Sequence, residues 1–420
     1  MSAPPAEVRH VGVVGAGTMG TGIATSCLAG GLSVTLVDSQ PAALESGVLR
    51  IRDALAVAVR KARLTTQAGE AANRRLAATS DGGALVTADV VIEAVFENLK
   101  LKQEVFRELD ARCRAHALLA TNTSTLDVAA IAGVTARPQD VIGMHFFSPA
   151  NIMPLVEIVR APKTSAASVA RALALAGRIG KIGVVVGNAF GFVGNRMLYA
   201  YGRENQLLLL EGVAAARIDA LLENFGMAMG PNAVGDLAGL DVGYRVRRER
   251  QDLPDDPRYY RVADLLVEHG RLGQKSGRGM YRYAAGSRVR QADPEVELLI
   301  RAEAARLNIP PRDTSDAVII ERCVYALINE GAAILADGIA ASPQDIDVIW
   351  CNGYGFPRAR GGPMAYADTL GLAAVYDGIR RLAVEHGSRY WRAAPLLAQL
   401  AARQSTFAAW HAARSAPTAG

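Results

Sequence analysis

The stretch "VRHVGVVGAGTMGTGIATSCLAGGLSVTLVD" narrows most sharply what this chain can fold into. An apolar strand over residues 8–14 runs into Gly15, Gly17 and Gly20 at GxGxxG spacing, a helical run follows, and a second strand, "SVTLVD", ends in Asp38. The three glycines serve a tight turn, a close approach of pyrophosphate to the backbone, and close packing of helix on strand. The helix then offers free amide hydrogens and the positive end of its dipole to phosphate. Glycines alone are a weak signal. With the strand before, the helix after and the acid closing the next strand, they describe a βαβ unit that holds a dinucleotide, with Gly15, Gly17, Thr18, Met19 and Gly20 as its loop. Asp38 can accept from a ribose 2′-hydroxyl and would repel a 2′-phosphate, so NAD is expected rather than NADP. The plainer reading of Asp38 is a turn residue before "SQP".

The sheet continues in "ADVVIEAVFENLKLKQEVF", where residues 90–95 read as a buried parallel strand and residues 97–102 open a helix. "HALLATNTSTL" is a further strand running into Asn122, Thr123 and Ser124. Ligands of open parallel sheets bind beyond the carboxyl ends of the strands, so one crevice can hold Ser124 and the later His145. Ser124 can also be read as the N-cap of "TLDVAAIAG".

"VIGMHFFSPANIMPLVEIV" then sets His145 at the end of one apolar run and Glu157 inside the next. A neutral imidazole over a hydride acceptor can take an alcohol proton, and a carboxylate on its other nitrogen fixes the tautomer and stabilises the imidazolium. A carboxylate buried without a partner costs several kcal/mol, so Glu157 requires one. A metal site fits poorly, because no further His, Cys or acid stands at ligand spacing. On chemistry alone, a catalytic pair and a structural ion pair both remain open.

These segments, with "GAGTMGTGIA", "IEAVFENLKLKQEVF", "TNTSTL" and "GNAFGFVGNRM" in order along nearly the whole chain, resemble the L-3-hydroxyacyl-CoA dehydrogenases of fatty acid β-oxidation. The dehydrogenase half of the multifunctional, peroxisomal-type enzymes is especially similar, through "GNAFGFVGNRM" and "RLGQKSGRGMYRY". The resemblance implies oxidation of (S)-3-hydroxyacyl-CoA to 3-ketoacyl-CoA with NAD. It makes His145 the base and Glu157 its partner. Ser124 and Asn195 would hydrogen-bond the reacting oxygen, Glu97 and Lys102 would line the nicotinamide side, with Asn122 and Ser148 in the cofactor site, and Lys61 would meet CoA phosphates. Two positions depart from the pattern: Ser148 stands where some members have asparagine, and Phe190 where proline is common. Two other classes compete. One is a non-catalytic structural relative; the other is a β-hydroxyacid dehydrogenase acting on free acids, which would use a catalytic lysine where "GFVGNRM" offers Asn195 and Arg196.

Beyond residue 187 the pattern turns helical and repeats. "NRMLYAYGRENQLLLLEG" and "GPNAVGDLAGLD" are echoed by "ERCVYALINEG" and "GPMAYADTLGL", with Gly230-Pro231 and Gly362-Pro363 at the same offset before Asp236 and Asp368. Such a repeat signals duplication of a domain. The expected architecture is therefore an α/β Rossmann-type NAD-binding domain over residues 1–187, followed by two all-α domains related by duplication, over 188–290 and 291–420. The first copy carries Asn195-Arg196 where the second has Glu321-Arg322, so only the first is expected at the catalytic crevice. An apolar helical face must be covered. By resemblance the second copy takes the place of a second subunit, giving a pseudo-dimeric monomer. "RLGQKSGRGMYRY" is read as a solvated closing loop of the first helical domain rather than a phosphate site.

Composition sets the remaining bounds. Arg and Lys exceed Asp and Glu by five, but the two signs are interspersed, so nucleic acid is not an expected partner. No run of about 18 apolar residues suggests a membrane span. Four scattered cysteines argue against disulfides and zinc. "MSAPPAEVRH" does not read as a secretory signal, "SAPTAG" is not a Ser-Lys-Leu address, and no enoyl-CoA hydratase part is read before residue 8. These features set the expectation of a cytoplasmic enzyme that does not itself hydrate enoyl-CoA. Association with a separate hydratase or thiolase is left open.

Overall fold

A computed structural model describes residues 7–415. Residues 1–6 and 416–420, on which the readings of both chain ends partly fall, lie outside the described residues. The chain divides into two compact units: residues up to Asn195 together with Asp337–Gly353, and Arg196–Ala336 together with the residues from Tyr354 onward.

In the first unit, strands β1 (His10–Val14), β2 (Ser33–Val37), β3 (Leu76–Thr79), β4 (Val90–Glu93), β5 (Leu118–Thr121), β6 (Val141–Phe146), β7 (Leu155–Arg160) and β8 (Ile182–Gly187) form one sheet. Their order is β3-β2-β1-β4-β5-β6-β7-β8. All neighbours run parallel except β6 and β7, which pair antiparallel. Helices α1 (Thr18–Ala29), α2 (Pro41–Arg60), α3 (Thr66–Arg74), α4 (Leu99–Arg112), α5 (Val128–Ala132) and α6 (Ala166–Arg178) fill the connections. Strand residues feed two apolar clusters, one with Val11, Val13, Ile92 and Met144, the other with Val91, Leu119 and Val141. Burial on both faces is why these strands read as apolar runs without alternation.

The helical segments that follow are α7 (Gly194–Leu210), α8 (Ala215–Phe225), α9 (Pro231–Ala238), α10 (Leu240–Glu249), α11 (Arg261–Glu268), α12 (Pro294–Arg306), α13 (Asp316–Ala336), α14 (Pro343–Gly353), α15 (Pro363–Leu370), α16 (Leu372–His386), α17 (Pro395–Ala402) and α18 (Phe407–Ser415). All belong to the second unit except α14 and the first two residues of α7. The repeat is visible in local detail. Both α9 and α15 start with proline after a glycine and stop at a glycine of positive φ, Gly239 and Gly371. Asp236 accepts from the amides of Met280 and Tyr281, and Asp368 from those of Phe407 and Ala408, so each copy's aspartate ties down a later segment.

The copies also hold each other reciprocally. Arg196 donates to Glu330 (2.6 Å) and Arg322 to Glu204 (3.1 Å), each arginine meeting the glutamate at the same spacing in the other copy. That reciprocity is the mark of a two-fold, self-complementary interface. The Arg322 pair is fully buried, and Arg322 also donates to Glu211 (2.6 Å). Glu321, the counterpart of Asn195, pairs instead with Arg381.

The "RLGQKSGRGMYRY" stretch is not the solvated loop expected. Arg271, Met280, Tyr281 and Tyr283 are buried, and the Tyr281 hydroxyl donates to Asp219 (2.7 Å) while that of Tyr283 donates to Asp236 (2.9 Å). Its aromatic end has buried acids to satisfy, which its basic, glycine-rich composition hides. No helix among the described residues is long and apolar enough to cross a membrane.

Candidate functional site

The glycine loop joins β1 to α1. Gly15 turns with φ +102°, a conformation glycine adopts at little cost, and a Cβ on Gly20 would lie 1.8 Å from the Gly15 carbonyl oxygen. A Cβ on Gly17 would meet nothing within 4 Å, so the backbone there faces open space. The N-terminus of α1 has no side-chain cap, leaving its amides for a ligand. Thr18 is exposed and Met19 packs against the core. Asp38 does two things at once: one oxygen accepts from the Ala16 amide (2.7 Å), the other from Gln40 (2.9 Å). It is a turn residue as well as a tether that leaves its remaining lone pairs at the loop. Open backbone, uncapped amides and a carboxylate at the end of β2 fit a dinucleotide with a free 2′-hydroxyl.

Beyond β4 and β5, Glu97 gathers the loop of residues 123–125. One of its oxygens accepts from the Thr123 hydroxyl (2.7 Å), the Ser124 amide (2.7 Å), the Ser124 hydroxyl (3.0 Å) and the Thr125 amide (3.1 Å). Burial raises the Glu97 pKa, but Lys102 and these hydrogen bonds outweigh it and hold the carboxyl below the usual range. Lys102 is 1% exposed and donates to Glu93 (2.6 Å), whose other oxygen accepts from Thr121 (2.7 Å). Glu93 was missed from the sequence, although an acid ending the apolar run "VVIE" was a signal like the one Glu157 gives. Asp127, not Ser124, caps α5.

His145 and Glu157 are register partners across the antiparallel β6–β7 pair, so their side chains leave the same face. His145 Nδ1 lies 2.7 Å from Glu157 Oε2, with the two residues 6% and 0% exposed. An ionised carboxylate only accepts, so Nδ1 carries the proton and Nε2 keeps its lone pair. Glu157 Oε1 accepts from the amides of Val193 (3.2 Å) and Gly194 (2.9 Å), at the start of α7. The helix end thus satisfies the second oxygen and favours its charge. Neither amide was anticipated from the sequence. Asn122 fixes the end of β6 by accepting from the Phe146 amide (2.9 Å). Asn195 donates to the Ser124 carbonyl (3.2 Å), which brings these two expected site residues together. Ser148 is exposed, ahead of a cis bond to Pro149, and Lys61 is exposed at the end of α2.

Residues 10–189 match the family described as "3-hydroxyacyl-CoA dehydrogenase, NAD binding domain", and residues 191–283 and 318–406 both match "3-hydroxyacyl-CoA dehydrogenase, C-terminal domain". The peroxisomal bifunctional enzyme of Danio rerio is 45% identical over 96% of this chain and 57% of its own length; that of Homo sapiens is 43% identical over 94% and 55%. The chain therefore spans little over half the length of these relatives. Among solved structures, 3-hydroxybutyryl-CoA dehydrogenase from Escherichia coli K12 superposes with TM-score 0.81 at 29% identity, covering 95% of this chain and 99% of that one. The dehydrogenase part of multifunctional enzyme 1 from C. elegans gives 0.67 at 31% identity, covering 94% and 89%. The expected cytoplasmic location does not stand, because relatives in Danio rerio, Cavia porcellus, Pongo abelii and Homo sapiens are all named as peroxisomal enzymes. With both the NAD-binding and the helical parts matched, the chain belongs to the 3-hydroxyacyl-CoA dehydrogenase family.

Proposed function

We propose that this chain oxidises (S)-3-hydroxyacyl-CoA to 3-ketoacyl-CoA, with His145 as the general base and Glu157 as its orienting partner. The observation that carries this reading is the cross-strand pair itself, in which the carboxylate holds Nδ1 at 2.7 Å and is held in turn by the first amides of α7. When bound, NAD supplies the hydride acceptor. His145 Nε2 takes the hydroxyl proton, and Glu157 stabilises the imidazolium. Asn195 and Ser124 hydrogen-bond the reacting oxygen. For this the Ser124 hydroxyl turns away from Glu97, which keeps the Thr123 hydroxyl and the amides of Ser124 and Thr125 as donors. Glu97 and Lys102 set the loop beside the nicotinamide, and Lys61 meets a CoA phosphate.

The test is NADH oxidation on adding acetoacetyl-CoA. Wild-type protein turns over, and His145→Ala loses at least 10²-fold in kcat, the usual range for removing a general base being about 10²–10⁴. A His145→Ala protein with near-normal kcat refutes the assignment. We also propose a monomer in which the second repeat stands in for a second subunit, a reading supported by the reciprocal Arg196–Glu330 and Arg322–Glu204 pairs. Sedimentation showing a tight dimer through the helical repeats would exclude it.

A further inference from the structure

We infer that α14, which comes from the second helical repeat, sets the position of the His145 ring through Gly353 and Phe147. The inference rests on the proposed role of His145 as base. The segment leading into α14 is tied to the end of the sheet: Gly187 donates its amide to the Ile339 carbonyl (2.7 Å), and Val186 and Ala340 form an antiparallel bridge. From there α14 packs across β7 and β8 and ends at Gly353. A Cβ on Gly353 would stand 2.8 Å from Leu155 Cδ2 and 3.2 Å from Phe147 Cε1, both inside ordinary carbon contact. Leu155 lies two residues before Glu157 in β7, on the same face of the sheet. It is fully buried.

Phe147 in turn lies against the histidine. The ring centroids of His145 and Phe147 are 4.7 Å apart at 47°, and Phe192 stands on the imidazole at 5.8 Å and 56°. Glu157 fixes the direction of Nδ1, and the two phenylalanines limit the tilt of the ring. A methyl at Gly353 would crowd Leu155 and Phe147, and at 3.2 Å the phenyl ring would have to give by a few tenths of an ångström. Phe147 and Gly353 are therefore positioning residues. The second repeat, which has Glu321 in place of Asn195, supports the reaction by the placement of one helix end. Small displacements of a reacting group cost large factors in rate, about 10²-fold for 1 Å.

The test is a double-mutant cycle on the full chain, reading kcat and both KM values for acetoacetyl-CoA reduction, with thermal melts to verify folding. Gly353→Ala is expected to lower kcat about tenfold while leaving both KM values within about twofold, as misplacement of a proton-transfer group predicts. In a Phe147→Leu background, which lacks the ring that the new methyl would push, the same substitution should change kcat by less than about twofold. Phe147→Leu alone should lower kcat, and this serves if Gly353→Ala does not fold. A folded Gly353→Ala with wild-type kcat overturns the inference, as does an equal loss in both backgrounds or a neutral Phe147→Leu. His145→Ala separates the two levels. If it is inactive while Gly353→Ala is silent, only this inference falls; if it is active, the base assignment falls and this inference with it.

Discussion

Glu157→Gln keeps the shape of the buried pair and removes its charge. Both carboxylate oxygens are in use, Oε2 by His145 and Oε1 by the Val193 and Gly194 amides. A glutamine has one accepting atom and must fail one side. If its NH₂ faces His145, Nδ1 has to accept, the ring proton moves to Nε2, and the base has no lone pair for the substrate. If its NH₂ faces α7, donors oppose donors and two buried amides lose their acceptor, at about 1–3 kcal/mol each. The first arrangement costs less folding energy, so the wrong tautomer is expected. A wrong tautomer in the comparable His–Asp arrangement of serine proteases costs about 10⁴ in kcat. The expected loss here is about 10³–10⁴-fold, or ~4–5.5 kcal/mol of barrier. Loss of the charge at the start of α7 should destabilise the fold by about 0.3–2 kcal/mol. The assay is steady-state oxidation of saturating NADH by acetoacetyl-CoA, with a melt and the KM for NADH as controls. A folded Glu157→Gln enzyme within tenfold of wild-type kcat would refute the reasoning, because the arrangement that costs less folding energy leaves the base without its lone pair.

Other consequences can be measured independently. Asp38→Ala removes the tether on Ala16 and the repulsion of a 2′-phosphate, so kcat/KM should fall for NAD and the ratio of NAD to NADP should narrow by at least about tenfold. Arg322→Met leaves Glu204 and Glu211 without their buried cation and should cost about 3–5 kcal/mol in urea unfolding, whereas Arg196→Met, at a partly exposed pair, should cost about 1 kcal/mol or less. Arg306 and Arg261 hold the Glu303 carboxyl down to about 2 against the opposing effect of burial. Because this pKa is depressed in the folded chain, the stability it contributes is present above the ordinary glutamate range and is lost as pH falls towards 2. Glu303→Gln should flatten the stability–pH curve in that window, followed by denaturation midpoints from pH 5 down to 2.5.

The parts of the fold legible in the sequence were those in which local chemistry leaves few options. GxGxxG between two apolar strands allows one turn, and an acid inside "PLVEIV" demands a partner; both statements survive at residue level in the Gly20 packing and the Glu157 contacts. Gly230-Pro231 and Gly362-Pro363 likewise start the helices their spacing suggests. What could not be read depends on long-range pairing. Nothing in "FGFVGNRM" announces that the amides of Val193 and Gly194 will serve a carboxylate in β7, since a backbone donor has no signature of its own. The resemblance sets Lys102 on the nicotinamide side, but nothing local shows that β4 brings Glu93 to it. Tyr281 and Tyr283 sit in a basic, glycine-rich stretch and are buried only because Asp219 and Asp236 await them.

The strap at Ile339–Ala340 also bears on how the protein can be divided. β8 is the last strand of its sheet, and an uncovered last strand offers its unpaired amides and carbonyls to any other chain, a route to aggregation. Here part of that edge is paired by a segment encoded some 150 residues later. A fragment ending near residue 290 would carry the whole dinucleotide-binding sheet with that edge open, and co-expression with residues 291–420 would close it. The second repeat would then act on the first fragment as an intramolecular chaperone supplied in trans, with recovery of soluble protein as its measure.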